Sequence, residues 1–101
     1  MADTIYATAT ARGRAGVAVI RVSGPAAHEV CRLLTGDVPP PRRAAMRNIS
    51  WCDEVLDQGL VITFEEGGSF TGEKVVEFQT HGSLAVSAAV LRALAETGLC
   101  R

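Results

Sequence analysis

The clearest alternation of apolar and polar residues lies in the last third of the chain, over residues 74–81 (KVVEFQTH). In an extended strand, successive side chains point to opposite faces of the sheet. One face of this segment is partly apolar and carries Lys74, Val76, Phe78 and Thr80. The other face is mostly polar and carries Val75, Glu77, Gln79 and His81. The pattern predicts a strand with one face against a core and the other against water or a polar ligand.

Four more segments have the short apolar or alternating pattern of strands. They are residues 5–10, 17–22, 44–51 and 56–64. The second of them (VAVIRV) is β-branched and apolar, which predicts a buried strand. The third and fourth are joined by a predicted turn at residues 52–54 (CDE). Together with residues 74–81, these four segments predict a sheet of about five strands.

Two of the strands run directly into predicted helices. The first helix opens at residues 23–25 (SGP), stops at Gly36, and has apolar residues at helical spacing, namely Ala26, Val30, Leu33 and Leu34. The second has Ser83 as its N-cap, ends near Gly98, and carries on one side Leu84, Ala88, Leu91 and Ala95. Strands and helices do not alternate regularly. We therefore predict an α+β fold in which two helices cover a mixed β-sheet.

The composition indicates one small soluble domain. The chain has 101 residues, of which 48% are hydrophobic and 21% charged, and its net charge is -1. This charge gives no general attraction to nucleic acid or anionic lipid. The N-terminus has no signal-peptide pattern, and no apolar run is long enough to cross a membrane. The three cysteines are widely spaced and include no C-x-x-C pair, so we expect a cytoplasmic protein without a disulfide framework.

Two charged residues stand in otherwise apolar strands. Arg21 lies in VAVIRV and Glu77 in VVEFQ, and each needs a partner or an opening to solvent. One interpretation is plain exposure or a cross-strand ion pair, which contributes at most about 1 kcal/mol. The other is a pocket near the C-terminal ends of two strands, beside the two helix starts. There Glu77 would accept parallel hydrogen bonds from a heterocycle such as a pterin, and Arg21 would meet a carbonyl or carboxylate of the same ligand.

The remaining candidate groups point less clearly to chemistry. His81 is either a general base or a residue that serves the turn at the helix start or packs against the ligand. Arg12 and Arg14 either contact phosphate or lie in a solvated loop. The chain contains no G-x-x-x-x-G-K-[ST] segment, and no nucleophile–base pair or metal cluster can be recognised in it. We therefore expect a binding module with no catalytic or metal site and no GTPase activity of its own.

Four segments along the chain together carry a family resemblance. They are DTIYATAT (residues 3–10), GRAGVAVIRVSGP (13–25), DQGLVITF (57–64) and SFTGEKVVEFQTHG (69–82). Their order and spacing resemble the N-terminal domain of the MnmE/TrmE family of tRNA-modification GTPases along the whole chain. The fourth segment is the most specific, because SFTGE is followed by V-V-E and then by H-G.

The resemblance implies a function that the composition does not show. With an FAD-containing partner, the family modifies carbon 5 of the wobble uridine in certain tRNAs by adding an aminomethyl or carboxymethylaminomethyl group. Its N-terminal domain forms a homodimer and binds a tetrahydrofolate derivative, such as 5-formyl- or methylene-tetrahydrofolate, that carries a one-carbon unit. The folate-binding residues of the family match Arg21 and Glu77. The implied fold is similar to the folate-binding module of aminomethyltransferases.

The chain departs from the family pattern at three places. It has ARGRAG at residues 11–16 where the family has P-P-G-R-G-G, and HGSLAV at 81–86 where the family often has H-G-G-P. It also ends at Arg101, before the segment that carries a folate-contacting lysine. We expect residues 1–101 to be an N-terminal domain that is incomplete at its C-terminal end, without the helical domain and the G domain that binds GTP, Mg and K.

Two alternatives stay open from the sequence. The first is a purely structural dimerisation module in which Arg21 and Glu77 form only an ion pair. The second is a free-standing folate-dependent aminomethyl-transfer domain, which would need a catalytic acid close to the pterin. None is identifiable in the sequence.

Overall fold

The computed structural model describes residues 3–9, 16–68 and 72–101. They form, in chain order, β1 Ile5–Thr8, β2 Val17–Ser23, α1 Ala27–Thr35, β3 Ala45–Trp51, β4 Glu54–Phe64, β5 Val75–His81 and α2 Leu84–Glu96. The strands build one sheet in the order β1-β2-β5-β4-β3. The predicted α+β class and the five strands are confirmed. All four strand pairings are antiparallel, where the prediction had a mixed sheet.

The two helices cover one face of the sheet and bury the core. The side chains of Ile20, Val22, Val76 and Phe78 are fully buried on this face. They pack in one cluster with residues of α1 and α2, including Val30, Leu34, Val90 and Leu94. The alternation predicted for β5 is confirmed, since Val76, Phe78 and Thr80 are buried while Glu77 and Gln79 on the other face are half-buried. We call that other face, which carries Arg21, Glu77, Gln79 and His81, the open face.

The connection from β2 into α1 depends on a close approach of two backbone segments. Gly24 has a φ of 140°, and a Cβ there would lie 2.5 Å from the Cα of Thr4. The hydroxyl of Thr4 accepts a hydrogen bond of 2.9 Å from the backbone N–H of Ala26, at the start of α1. Only glycine fits this position without strain, because it has no Cβ. Thr4, just before β1, therefore satisfies a backbone N–H in the turn that leads into the first helix.

The ends of the helices and the β3–β4 turn largely follow the predictions. Gly36 closes α1 in the left-handed conformation. Ser83 is the N-cap of α2 and accepts a hydrogen bond from the N–H of Val86. Cys52 and Asp53 have φ values of 51° and 65°, which form the predicted tight turn between β3 and β4.

The buried faces of both helices differ from the predicted ones. In α1 the buried residues are Ala27, Val30, Cys31 and Leu34, whereas Leu33 is 46% exposed. In α2 they are Val90, Ala93 and Leu94, whereas Leu84 is 80% exposed. Only three of the thirteen residues of α2 are polar. Its apolar residues surround the axis, so their spacing cannot indicate which side faces the core.

The last residue of the chain extends the sheet at its free edge. The N–H of Arg101 donates to the carbonyl of Thr4, and the carbonyl of Arg101 accepts from the N–H of Tyr6, both at 3.0 Å. These two bonds are the pattern of a parallel bridge to β1. Helix α2 thus returns the backbone to the edge of the sheet. Among the described residues, no helix is both long and apolar enough to cross a membrane.

Candidate functional site

Arg21 and Glu77 lie directly opposite each other on the open face, in the antiparallel register of β2 and β5. The guanidinium donates from Nε at 2.9 Å and from Nη2 at 2.7 Å, and both bonds reach Oε2 of Glu77. The Arg21 side chain is 37% exposed and that of Glu77 is 16% exposed. The structure therefore brings the two predicted residues together as a cross-strand ion pair. Oε1 of Glu77 takes no part in this pair.

The ion pair borders an open hollow in the sheet surface. Phe64 of β4 and Val75 of β5 complete its lining, and its volume is about 180 Å³. The hollow thus has two apolar walls and one carboxylate with an adjacent guanidinium. A carboxylate oxygen can accept more than one hydrogen bond, so Glu77 can accept from further donors while Arg21 holds it.

The predicted position of the two helix starts is wrong. In the antiparallel pairing of β2 and β5, Ser23 lies opposite Val75, and Val17 lies opposite His81. The two strands therefore reach their helices at opposite ends of the sheet. Arg21 and Glu77 lie between these ends, and the helices cover the other face. Helix dipoles accordingly do not converge on the pair.

A second polar contact lies further along β5. Both Nδ1 and the backbone N–H of His81 lie 2.8 Å from the carboxylate of Asp57, on Oδ1 and Oδ2 respectively. The Asp57 side chain is 10% exposed, and that of His81 is 73% exposed. Burial raises the pKa of Asp57, but hydrogen bonds from His81 and from the backbone of Gln58 outweigh it, so that its pKa lies below the usual value.

Sequence reasoning identified His81 and missed Asp57. The sequence signal that could have identified Asp57 is its position at the start of the DQGLVITF segment, two residues before Gly59 in a predicted strand. A Cβ on Gly59 would lie 2.4 Å from the carbonyl oxygen of Gln79, so this glycine permits a close approach of β4 and β5. Arg12 and Arg14, the candidate phosphate contacts, lie outside the described residues.

A second hollow, of about 160 Å³, lies beside His81 on the open face. Val17, Met46, Leu60 and Gln79 are among the residues that line it. Within residues 3–9, 16–68 and 72–101, no group of three or more His, Cys, Asp or Glu side chains is arranged to hold a metal ion. The lining of this hollow combines apolar side chains with the amide of Gln79 and the imidazole of His81.

Comparison with known proteins gives a consistent result over almost the entire chain. The family described as GTP-binding protein TrmE N-terminus matches residues 4–101. A tRNA modification GTPase MnmE of Cereibacter sphaeroides is 53% identical over 94 residues, which are 93% of this chain and 22% of that protein. One from Jannaschia is 54% identical over 100 residues, or 98% of this chain and 24% of the relative.

The match lies within one part of these longer proteins. The MnmE of Caulobacter vibrioides likewise is 50% identical over 97% of this chain and 22% of its own length. The chain thus spans about a quarter of the length of the relatives it matches. Because the family match covers residues 4–101, the chain belongs to the family of the N-terminal domain of the TrmE tRNA-modification GTPases.

Proposed function

We propose that this chain is the tetrahydrofolate-binding and homodimerising domain of a GTPase that modifies tRNA. In this proposal the complete protein acts with an FAD-containing partner in the cytoplasm. Together they add an aminomethyl or carboxymethylaminomethyl group at C5 of the wobble uridine. The observation that carries the folate site is the Arg21–Glu77 pair beside a hollow on the open face. When bound, the tetrahydrofolate supplies a one-carbon unit.

Glu77 is the residue that fits the pterin ring. The 2-amino-4-oxo ring presents two adjacent N–H donors, and a carboxylate accepts two parallel hydrogen bonds from such a pair. Oε1 of Glu77 is outside the ion pair and keeps both of its acceptor sites, whereas Oε2 already accepts two bonds from Arg21. A second parallel bond, to Oε2, requires Arg21 to give up one of its own. The guanidinium fixes the direction of the carboxylate before the ligand arrives. Such preorganisation reduces the ordering cost of binding.

The size of the hollow supports a contribution from a second copy of the chain. Small-molecule sites usually enclose at least about 300 Å³, and the hollow at Glu77 has about 180 Å³. Large apolar side chains are exposed on the same face, among them Ile5, Val17 and Met46, which are 53%, 49% and 55% exposed. A symmetric dimer through the open face would cover these side chains and add a second wall to the site.

Calorimetric titration of the chain with 5-formyltetrahydrofolate tests the folate site. We expect saturable binding at a single class of sites. p-Aminobenzoylglutamate, which lacks the pterin, is the control ligand and should bind far more weakly, because Glu77 then has no ring to hold. Equal binding of the two ligands, or none of 5-formyltetrahydrofolate, would contradict the proposal.

Light scattering tests the assembly separately. We expect a dimer at high micromolar concentration, and we expect Met46→Lys to weaken it, because a cation would be placed on the apolar part of the open face. Leu84→Lys is the matched control, since Leu84 is 80% exposed at the start of α2 and lies away from that face. A monomer at these concentrations, or equal effects of the two substitutions, would contradict dimerisation through the open face.

The two alternatives from the sequence predict results that differ from those of the proposed folate-binding dimer. A purely structural module dimerises without binding folate. A free-standing aminomethyl-transfer domain binds tetrahydrofolate and also transfers to it the carbon of an aminomethyl donor, with release of ammonia. An assay for the methylene-tetrahydrofolate formed would detect this.

A further inference from the structure

A half-buried carboxylate holds an exposed imidazole at the end of β5. Asp57 is 10% exposed and His81 is 73% exposed, and Oδ1 of Asp57 lies 2.8 Å from Nδ1. An ionised carboxylate only accepts hydrogen bonds, so Nδ1 carries a proton and is the donor. Nε2, on the opposite side of the ring, is left for contact with another molecule.

Asp57 accepts two hydrogen bonds from His81, and only the one from the backbone N–H is required by the fold. Pairing between β4 and β5 ends at Leu60 and Gln79, so the backbone N–H of His81 has no strand acceptor opposite it. Oδ2 of Asp57 satisfies this N–H at 2.8 Å. The second bond, from Nδ1–H of the ring to Oδ1, orders a side chain that could otherwise hydrogen-bond to solvent, and ordering a side chain costs entropy. This second bond fixes the direction of Nε2.

His81 lies on the same face of the same strand as Glu77. The two are four residues apart, which is about 13 Å in an extended strand. Gln79 lies between them on this face, flanked by Val19 on β2 and Leu60 on β4. The surface along β5 therefore changes from charged at Glu77, through an amide between two aliphatic side chains, to an imidazole beside the second hollow. We call this line of residues the β5 track.

We propose that Nε2 of His81 binds the glutamyl carboxylate of the tetrahydrofolate whose pterin ring Glu77 holds. The inference rests on the proposed folate site. A tetrahydrofolate has a polar ring at one end, an aromatic benzoyl group in the middle and an acidic glutamyl group at the other end. The β5 track offers matching contacts in that order. The imidazole donates from Nε2 to the carboxylate when both ring nitrogens carry protons.

In this arrangement Asp57 is a positioning residue, because it touches His81 and not the ligand. Asp57→Asn leaves a single oxygen facing two donors, the backbone N–H and Nδ1–H of His81. Whichever way the amide is turned, one of the two bonds to His81 is lost. The ring is then held less firmly, although Nε2 is still present.

His81→Asn separates the binding role from the structural one. The amide NH2 of asparagine takes the place of Nδ1–H and can still donate to Asp57, and the backbone N–H is unchanged. Nε2 is absent. A thermal melt should therefore stay close to wild type, while the contact with the ligand is lost.

The experiment compares two ligands that differ only in the tail, 5-formyltetrahydrofolate and 5-formyltetrahydropteroate, by calorimetry with the wild-type chain and each variant. We expect wild type to bind the glutamyl form roughly 5-fold more tightly, as one ion-paired hydrogen bond at an exposed side chain allows. His81→Asn should remove this preference, and Asp57→Asn should reduce it. Glu77→Gln should weaken both ligands by the same factor and leave the preference intact.

The outcomes distinguish failure of this inference from failure of the folate site. If both ligands bind wild type equally, or if the preference survives in His81→Asn, the tail contact is refuted while the pterin site stands. If neither ligand binds wild type, the folate site is refuted, and the tail contact with it.

Discussion

The substitution Glu77→Gln tests whether the Arg21–Glu77 pair is a ligand site or only an ion pair. Glutamine keeps the shape of the side chain but replaces one carboxylate oxygen with an NH2 donor. Against a pterin, that donor would face a ligand N–H, and neither group would have a partner. The expected loss of binding free energy is about 2 to 4 kcal/mol. This is a fall in affinity of roughly 30- to 1000-fold.

The same substitution also has a cost in stability, because the structure places Glu77 in contact with Arg21. The remaining amide oxygen can accept the two bonds that now reach Oε2, at 2.7 and 2.9 Å, but as a neutral acceptor. Arg21 is 37% exposed, so solvent screens the lost charge. We expect the free energy of unfolding to fall by about 1 kcal/mol, which is a lower melting temperature by roughly 4 to 8 °C.

Asp37→Asn is the matched control for this experiment. Asp37 forms an ion pair with Arg47 through two bonds, Nε to Oδ1 at 2.9 Å and Nη2 to Oδ2 at 3.0 Å. Arg47 lies on β3 opposite Gly59, on the side of the sheet that the helices cover. The control removes one carboxylate charge from an arginine pair and leaves the open face unchanged. It should alter the melting temperature without altering the affinity.

The assay is calorimetry with 5-formyltetrahydrofolate and a thermal melt, both applied to wild type and the two variants. A large loss of affinity in Glu77→Gln alone supports the pterin site. If Glu77→Gln lowers the melting temperature as Asp37→Asn does and leaves the affinity at the wild-type value, the pair is only structural and our reasoning about Glu77 is refuted.

Three further predictions concern folding, protonation and thiol reactivity. Gly24→Ala should lower the free energy of unfolding by about 3 kcal/mol in urea titrations, because the added Cβ would clash with Thr4 and the φ of 140° is strained for alanine. Gly36→Ala is the control, since the space around Gly36 is open. A loss in Gly24→Ala no larger than that in the control would contradict this prediction. The lowered pKa of Asp57 stabilises the fold above the unfolded-state pKa of about 3.9. Stability should then fall as the pH drops through the folded-state pKa, and Asp57→Asn should flatten this part of the pH profile. Ellman's reagent should label the exposed Cys52 first and the buried Cys31 only on unfolding, because burial raises the pKa of the Cys31 thiol.

Much of the sheet could be predicted because its strands follow a two-residue period. The predicted alternation of β5 places Phe78 in the core and Glu77 on the open face, as the structure does. The helix faces could not be predicted in the same way. Since α2 is apolar on nearly every side, only the packing against the sheet decides that Leu94 is buried and Leu84 is exposed.

The contacts of the site could not be predicted fully, because they join residues that are far apart in the chain. The sequence offered a cross-strand pair of Arg21 and Glu77 as one of two interpretations, but it did not supply the antiparallel register that places them opposite each other. It also gave no means of joining Asp57 to His81, which are 24 residues apart in the chain. That contact arises where the β4–β5 ladder ends, and no local pattern marks the position.

The ion pair and the ligand site are compatible in this geometry. Arg21 directs both of its bonds to Oε2, which leaves Oε1 of Glu77 outside the pair. A glutamate without such a partner would lose side-chain entropy each time it held a ligand. Here Arg21 has already restricted the carboxylate, so most of that cost is met on folding. The contact that suggests a purely structural role is therefore also one that would make Glu77 a better acceptor for a pterin, and only affinity measurements on Glu77→Gln separate the two.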